Sequence, residues 1–315
     1  MIRKFLNFVL IFVLVLNFMS CAKPKTSAEK IAELKEEIAK LPDVDLNIAL
    51  GNARDIFGDF ENNDIKENPQ NNKFKKFDLV YSKMSIKFQQ EIKIPNEKKS
   101  EFISDIENLF VQEKNIRQEF SSDDLSLYYL IDKTHSISSE YEPENLQHLT
   151  SNGYYAVNKN TLSLRPEAYA ALFELAQAAT NDGIHLTVSS TYRSYEYQKN
   201  LFNYWVSVDG LAEAERESAR PGTSQHQLGL ALDFAPVDDA FDKTPEGEWV
   251  YKNAAKYGWS LSFPKGYEEI TGYRWECWHF RYIGKFACEM QKKWFCDVQQ
   301  YMIEFLDAWD KTSVE

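Results

Sequence analysis

Two histidines and two carboxylates are the residues of this chain whose types and spacing favour metal chemistry. His226 and Asp233 lie in the stretch SQHQLGLALDF (residues 224–234), and Glu276 and His279 lie in the tetrapeptide ECWH. Two imidazoles and one carboxylate are three protein ligands of the kind that catalytic zinc sites use, with a fourth position left for water. The second carboxylate, Glu276, is then placed to act as a general base. The sequence therefore predicts one zinc ion per chain, bound by His226, Asp233 and His279.

The spacing of these residues requires local breaks in the backbone. The alternation of Leu228, Leu230, Leu232 and Phe234 predicts a strand over residues 224–234. His226 and Asp233 are an odd number of residues apart, and in an unbroken strand such residues point to opposite faces of the sheet. Their convergence needs a turn or a bulge, which Gly229 can provide. The same argument predicts an irregularity between Glu276 and His279. The alternative interpretation is that His226 and Asp233 form a buried polar pair without a metal ion.

Capping residues and hydrophobic periodicity predict the elements that position these side chains. Pro166 begins a helix that ends at Gly183, and a strand follows over residues 185–194. Ser194 caps a further helix, so Arg193 lies at the end of the strand, where a fixed cation can stabilise a developing oxyanion. Residues 211–220 and 246–258 are predicted to be helical, and residues 259–263 and 273–284 to form a hairpin. Because helices and hairpin strands follow one another without repeated βαβ units, we predict an α+β fold with an antiparallel sheet flanked by helices.

The two ends of the chain are predicted to be helical. Residues 43–120 show a mostly helical pattern, interrupted by the polar segment ENNDIKENPQNNKFKK (residues 61–76), which we expect to be a surface loop. An amphipathic helix precedes it, with a capping box at Thr26 and Glu29 and an end at Pro42. No residue in this region indicates chemistry. We expect residues 286–315 to form a C-terminal helix packed on the catalytic domain.

Composition and the first residues of the chain indicate an exported globular protein. The chain has 315 residues, 43% of them hydrophobic, and a formal net charge of -12, which argues against a nucleic-acid partner. A basic start, an apolar run from Phe5 to Leu16, and Ser20 before Cys21 are typical of a secretory signal. This run is shorter than the roughly 20 apolar residues that span a bilayer. Cys21 resembles the lipidated cysteine of bacterial lipoproteins; plain secretion and an uncleaved anchor are the alternatives.

The cysteines do not predict a disulfide framework. After Cys21 only Cys277, Cys288 and Cys296 remain, so at most one intramolecular disulfide can form. None of them lies in a cluster with zinc-finger spacing.

Three segments together resemble a known family. SSTYRSYEYQ, RPGTSQHQLGLALDF and WECWHFRYIG are similar to the three successive signatures of VanY-type D-alanyl-D-alanine carboxypeptidases, which belong to the lysostaphin and hedgehog-like zinc peptidase superfamily. The likeness extends over roughly residues 130–284 and includes YEPENL and GYEEITGY. It implies a hedgehog/DD-peptidase-like α+β fold. In that family the residues that match His226, Asp233 and His279 bind zinc. The residue that matches Glu276 is the catalytic base, and the one that matches Arg193 stabilises the oxyanion. The residues that match Gln198 and Ser224 contact the substrate.

Two positions depart from the family pattern. Cys277 stands where the family usually has proline, and Ser262 stands where arginine is common. Neither departure removes a predicted ligand or the base, so both concern substrate contacts and specificity. Cys277 alternates away from Glu276 and is expected to be a buried structural thiol.

These observations predict a lipoprotein-like signal peptide (residues 1–21), a mostly helical region of unknown role (22–123), a zinc carboxypeptidase domain (124–285) and a C-terminal helix (286–315). The resemblance implies a zinc metallopeptidase of the bacterial cell envelope, anchored in a membrane through lipidated Cys21, that removes the terminal D-alanine from peptidoglycan stem peptides. One alternative is an L,D-carboxypeptidase acting on tetrapeptide stems. Another is a non-catalytic, zinc-containing lipoprotein that binds the cell wall, although such a protein has no chemical need for Glu276.

Overall fold

A five-stranded sheet contains or adjoins the residues that the sequence identifies as chemically important. The structure is a computed structural model and describes residues 69–122 and 124–314. Its strands are β1 (Gln147–His148), β2 (Tyr155–Val157), β3 (Ser163–Leu164), β4 (Leu186–Ser190), β5 (Ala231–Phe234), β6 (Trp259–Leu261) and β7 (His279–Tyr282). The large sheet has the order β2-β4-β5-β7-β6, while β1 and β3 form a separate pair.

Several helices begin at the capping residues that the sequence indicates. Pro166 occupies the first turn of one helix, and the side chain of Ser194 accepts a hydrogen bond from the backbone N–H of Tyr197 at the start of another. Such caps satisfy backbone donors that have no partner within the helix. The helices are α1 (Pro69–Lys83), α2 (Ile86–Glu91), α3 (Lys99–Glu119), α4 (Pro166–Asn181), α5 (Tyr195–Asp209), α6 (Leu211–Glu217), α7 (Pro245–Asn253), α8 (Glu268–Thr271), α9 (Lys285–Trp294) and α10 (Gln299–Lys311).

One strand pair departs from the expected antiparallel arrangement. β2 and β4 are parallel, whereas β5 pairs antiparallel with β4 and β7, and β6 pairs antiparallel with β7. Parallel neighbours require a crossover connection, and α4 lies between β2 and β4 in the chain. The α+β fold class is confirmed. The predicted antiparallel pair is present as β6 and β7, but both strands are shorter than expected, and α8 lies in the connection that was expected to be a turn. The βαβ unit at the edge of the sheet is a feature that the sequence pattern did not indicate.

The polar segment at residues 61–76 is in part helical. Helix α1 begins at Pro69, and within it Phe77 and Val80 are buried while Phe74 packs against the same core. Apolar residues that recur every three or four positions form one face of a helix, and this face outweighs the polar composition around it. The loop prediction was wrong for residues 69–76. The predicted capping-box helix at residues 26–42 lies outside the described residues.

The chain ends in two helices rather than in the single C-terminal helix expected from the sequence. Cys296 and Asp297 lie between α9 and α10 and have positive φ angles of 53° and 60°, which interrupt the helix. The interruption lets Phe295 and Phe305, on either side of it, pack together with Phe102; the three rings have centroid separations of 5.1 to 5.8 Å. Helices from both ends of the described chain therefore share one aromatic core, and residues 69–315 form one compact unit.

The three cysteines of this unit do not pair. Cys277 and Cys288 are buried, Cys296 is exposed, and all three are free thiols. Within residues 69–122 and 124–314, none of the helices combines the length and the hydrophobicity that a transmembrane span requires.

A buried arginine joins the sheet to the segment that precedes it. Arg281 lies in β7 with no exposed surface, and its Nη2 donates to the carbonyl oxygens of Leu127 and Tyr129 at 2.7 and 2.9 Å. The backbone N–H of Leu127 in turn donates to Glu113 of α3 at 2.8 Å. Because buried carbonyl groups need partners, Arg281 fixes the path of this segment, which continues to the wall of the cavity described below.

Candidate metal centre

A short turn, rather than a strand, presents His226. The strand predicted for residues 224–234 is limited to β5, and Gln225–Leu228 form a single turn of 3₁₀ helix. The side chain of Ser224 caps this turn by accepting a hydrogen bond from the backbone N–H of His226 at 3.3 Å. Gly229 ends it with a φ of 69°, and a Cβ atom there would lie 3.1 Å from two neighbouring side chains. The predicted break at Gly229 is confirmed.

The backbone of a neighbouring segment fixes the ring of His226. Its Nδ1 lies 2.7 Å from the carbonyl oxygen of Thr191, which can only accept a hydrogen bond. The proton of the neutral ring is therefore assigned to Nδ1, and the lone pair is on Nε2. This Nε2 is buried, lies 3.3 Å from Oδ2 of Asp233 and makes no hydrogen bond.

Asp233 and His279 face each other across adjacent strands. They are register partners in the antiparallel pair of β5 and β7, and Asp233 Oδ1 lies 2.9 Å from His279 Nδ1. The other ring nitrogen, Nε2, lies 3.2 Å from the side-chain oxygen of Gln225. Among the described residues, His226, Asp233 and His279 are the one group of three or more potential metal ligands that converges, with ligand atoms within 4.8 Å of one another.

The charges in this group fit a divalent cation. Burial, followed by the nearby Arg193 guanidinium, lowers the pKa of His226 to about 4, so this ring is neutral at pH 7. Burial alone would raise the pKa of Asp233, but in acid, where the imidazoles are protonated, the charge of His226 and then the interaction with His279 outweigh it and hold that pKa well below 3.8. A lone pair on His226 Nε2 therefore faces an ionised carboxylate without a hydrogen between them. A cation would satisfy both atoms, and two nitrogens with one carboxylate oxygen suit zinc.

Glu276 lies beside this group without belonging to it. Its side chain is buried, and Oε2 lies 3.8 Å from His279 Nδ1. β7 begins only at His279, whose backbone N–H donates to the carbonyl oxygen of Glu276 at 3.3 Å, so the predicted irregularity between the two residues is present. Burial, and next the charge of Asp233, raise the pKa of Glu276 well above 4.5. A carboxyl group with a raised pKa can accept and later return a proton.

Arg193 and the three potential ligands line a common cavity of about 410 Å³, together with Glu276. Arg193 follows β4, and its backbone N–H donates to the carbonyl oxygen of His226 at 3.3 Å. Its Nε is buried and has no hydrogen-bond partner. Burial lowers the pKa of the guanidinium, while the carboxylates of Asp233 and Glu276 oppose this change. Arginine nevertheless stays protonated, so the cavity contains a fixed cation.

The two predicted substrate contacts occupy different positions. Ser224 lines the cavity, whereas Gln198 is buried in α5 and is not among the lining residues. The side-chain N–H₂ of Gln198 donates to Ser218 Oγ at 3.3 Å and to the carbonyl oxygen of Ala219 at 2.7 Å. Both acceptors belong to residues that line the cavity, so Gln198 supports its wall.

The sequence did not identify every residue that contacts the centre. Thr191 contributes a backbone carbonyl, for which no side-chain pattern exists. Gln225 lies next to His226 in the motif, but nothing in the sequence indicated that its side chain contacts the centre. Ser262, noted only as a departure from the family pattern, is buried and hydrogen-bonded to Gln225 at 2.7 Å. Cys277 is buried, as expected. The predicted lipidation site, Cys21, lies outside the described residues.

Sequence comparisons with known proteins agree with the motifs. The sequence profile described as VanY, D-alanyl-D-alanine carboxypeptidase, matches residues 161–285. The putative carboxypeptidase YodJ of Bacillus subtilis (strain 168) is 37% identical over 167 residues, which are 51% of this chain and 61% of that protein. A solved structure of a vancomycin-resistance D,D-pentapeptidase VanY in complex with Zn(II) is 29% identical, covers 53% of this chain and 93% of that chain, and has a TM-score of 0.45.

The extent of these matches differs between relatives. The alignments cover between 47% and 61% of the length of three curated relatives. A bifunctional D-Ala-D-Ala dipeptidase and D-Ala-D-Ala carboxypeptidase, VanXYC of Enterococcus gallinarum, is 31% identical over 163 residues, which are 49% of this chain and 82% of that protein. On this likeness, together with the profile match, the chain belongs to the VanY family of D-alanyl-D-alanine carboxypeptidases.

Proposed function

We propose that the protein is a zinc-dependent carboxypeptidase that removes the terminal D-alanine from peptidoglycan stem peptides. One observation supports this most directly: ring nitrogens of His226 and His279 and the Asp233 carboxylate converge within 4.8 Å beside the buried carboxyl group of Glu276. The alternative interpretation, in which His226 and Asp233 form a buried polar pair without a metal ion, requires neither His279 nor Glu276 beside them. The D-alanine substrate class is taken from the family to which the chain belongs.

The three converging residues are proposed to hold the zinc ion through His226 Nε2, an Asp233 oxygen and His279 Nδ1. When bound, zinc supplies Lewis acidity that lowers the pKa of water and polarises a carbonyl group. Two neutral imidazoles and one carboxylate leave the site with a net positive charge of about one, which preserves this acidity.

The remaining residues of the cavity are proposed to move the proton and bind the developing charge. Glu276, with its raised pKa, accepts a proton from the attacking water and delivers it to the nitrogen of the departing D-alanine. The guanidinium of Arg193 donates hydrogen bonds to the oxygen of the scissile carbonyl as negative charge develops on it. Ser224 is proposed to contact the peptide at the cavity wall, and Gln198 to shape that wall.

The test is to incubate the purified protein with muropeptide pentapeptides and tetrapeptides, with and without a chelator, and to identify the released amino acid by mass. We expect D-alanine from the pentapeptide, loss of the reaction with the chelator, and recovery on addition of zinc. Release from the tetrapeptide alone would replace the proposal with L,D-carboxypeptidase activity. A protein that binds zinc and cell wall but hydrolyses neither peptide would be a binding lipoprotein.

We further propose that the protein is exported and attached to a membrane of the bacterial cell envelope through a lipid on Cys21. The sequence pattern of residues 1–21 and the cell-wall substrate class support this location. Mass spectrometry of the protein purified from membranes should find a diacylglycerol-modified N-terminal Cys21. The variant Cys21→Ala should lose the lipid and leave the membrane fraction; continued membrane association of that variant would contradict the anchor.

A further inference from the structure

The ring nitrogen of His279 that points away from the proposed zinc site has a specific partner. His279 Nε2 lies 3.2 Å from Oε1 of Gln225, while its Nδ1 faces Asp233 at 2.9 Å. A metal-binding histidine usually donates its second ring N–H to an oxygen, which fixes the tautomer and the ring orientation. In this structure that oxygen belongs to a neutral amide.

Two further side chains determine which end of the amide faces the histidine. Ser262 Oγ lies 2.7 Å from Gln225 Oε1 and 3.2 Å from Gln299 Oε1, and its single hydrogen donates to the nearer acceptor, Gln225. Gln225 Nε2 lies 3.5 Å from Oε1 of Gln299. Gln299 is itself oriented by a hydrogen bond from its Nε2 to the carbonyl oxygen of Ser260 at 3.3 Å. These contacts place the oxygen of Gln225, and not its N–H₂ group, toward the ring.

The orientation of this amide has a chemical consequence for the metal site. Both ring nitrogens of His279 face an oxygen, because Asp233 Oδ1 lies beside Nδ1 and Gln225 Oε1 beside Nε2. A metal ion bound by Asp233 would take the place of a proton on Nδ1, and the oxygen of Gln225 then keeps the one proton of the neutral ring on Nε2. A reversed amide would present N–H₂ to Nε2 and place the proton on Nδ1, which then could not bind a metal ion. Gln225, Ser262 and Gln299 are all buried, with 7%, 2% and 1% of their surface exposed, so water does not readily replace these contacts.

We propose that Gln225, oriented by Ser262 and Gln299, is a positioning residue that holds His279 in the tautomer and orientation needed to bind the metal. The inference rests on the proposed zinc site. It assigns a role to Ser262, where the family commonly has arginine, and to Gln299 of α10, which lies beyond the matched residues 161–285.

The chain offers a matched pair of serines for the test. Ser262→Ala removes the donor to Gln225, whereas Ser260→Ala removes a buried donor that binds Gln291 Oε1 at 2.8 Å and does not touch the histidine. Gln225→Leu removes the acceptor itself, and Gln225→Glu retains an acceptor at the same place. The measurements are Zn²⁺ affinity in competition with a chromophoric chelator and the visible spectrum of the Co²⁺-substituted protein, both recorded without substrate.

We expect Gln225→Leu to bind Zn²⁺ about 10–100-fold more weakly than the parent, the range found for loss of such supporting partners, and to show an altered Co²⁺ spectrum. Ser262→Ala should weaken binding by about threefold to tenfold, Ser260→Ala should not change it, and Gln225→Glu should restore at least parent-like affinity. Should Gln225→Leu not fold, the comparison of Ser262→Ala with Ser260→Ala decides alone.

Two results would overturn the inference. One is parent-like Zn²⁺ affinity and Co²⁺ spectrum in folded Gln225→Leu or in Ser262→Ala. The other is equal weakening by Ser260→Ala and Ser262→Ala. Neither depends on turnover, so a parent protein that binds Zn²⁺ in this way but hydrolyses no muropeptide would refute the proposed function and leave the inference standing.

Discussion

Replacing Glu276 with glutamine is the sharpest test of the proposed chemistry, because the change removes a charge and a proton acceptor while conserving shape. Glu276 lies outside the group of three potential ligands, so Glu276→Gln should bind one Zn²⁺ per chain with parent-like affinity. General acid–base catalysis contributes about 10²–10⁴-fold to a rate. We therefore expect kcat for D-alanine release to fall by about that factor.

The same substitution should stabilise the metal-free protein in a pH-dependent way. The pKa of Glu276 is raised in the folded state, first by burial and then by Asp233. Below the unfolded-state pKa the group is protonated in both states, and its contribution to stability is fully present. As the pH rises through the raised folded-state pKa, this contribution is lost, at about 1.4 kcal/mol per unit of pKa difference. Glutamine has no charge to bury. The gain in free energy of unfolding of Glu276→Gln over the parent is therefore absent in acid and reaches its maximum above the folded-state pKa of Glu276.

The assays are Zn²⁺ titration, steady-state kinetics on a pentapeptide, and thermal unfolding of chelator-treated protein across acid and neutral pH. For a unit of this size, each kcal/mol of added stability raises Tm by about 2–4 °C. Glu217→Gln is the matched control, because Glu217 lines the same cavity but lies 3.5 Å from Arg274 and is 37% exposed. It should retain kcat to within about threefold and show no comparable gain in Tm, since an exposed ion pair contributes little.

The outcomes separate the two parts of the reasoning. A Glu276→Gln protein that is fully loaded with zinc and hydrolyses the peptide at the parent rate would exclude Glu276 as the base. A Tm difference between parent and variant that does not change with pH would exclude the proposed burial of a titrating carboxyl group at this position.

Three further substitutions test other parts of the site and fold. Asp233→Ala should weaken Zn²⁺ binding by more than the roughly 10–100-fold cost of losing a supporting partner, as measured by chelator competition; parent-like affinity would exclude Asp233 as a ligand. Arg193→Ala should keep the zinc and lower kcat by about 10²–10³-fold, so an unchanged kcat would contradict its role at the oxyanion. Arg281→Met should lower the free energy of unfolding by about 2–5 kcal/mol, because the carbonyl groups of Leu127 and Tyr129 lose their buried donor; chemical denaturation measures this, and a loss below about 1 kcal/mol would refute it.

The sequence predicted the convergence of the site from a combination of signals, because His226 and Asp233 alone are weak evidence for a metal site. Glu276 and His279 in a second segment, and the resemblance of three segments to one family, strengthened the prediction, and the structure brings these side chains together. Gln225 and Ser262 could not be identified in the same way. Amides and hydroxyl groups occur throughout buried networks, and only the coordinates show which atom of which ring they contact.

The fold predictions failed where local patterns are weakest. β2 has three residues, too few for an alternating pattern to indicate that it pairs in parallel with β4. Helix α1 lies in a polar stretch. It packs against α10, which is far along the chain, and Phe77 and Val80 of α1 are buried. The break at Cys296 and Asp297 has no glycine or proline to mark it. In each case packing against distant residues decided the structure.

The helices outside residues 161–285 belong to the same folded unit as the proposed metal site, and two contacts indicate why. Arg281 in β7, close to the proposed ligand His279, is buried against backbone oxygens of the segment that follows α3. Gln299 of α10 reaches Gln225 beside the same histidine. A buried guanidinium and a buried amide are each costly to leave without partners, so β7 and the turn at His226 depend on chain segments on both sides of the matched region. The helices that build the aromatic core around Phe305 therefore also help to hold β7 and the turn, which carry the proposed ligands His279 and His226.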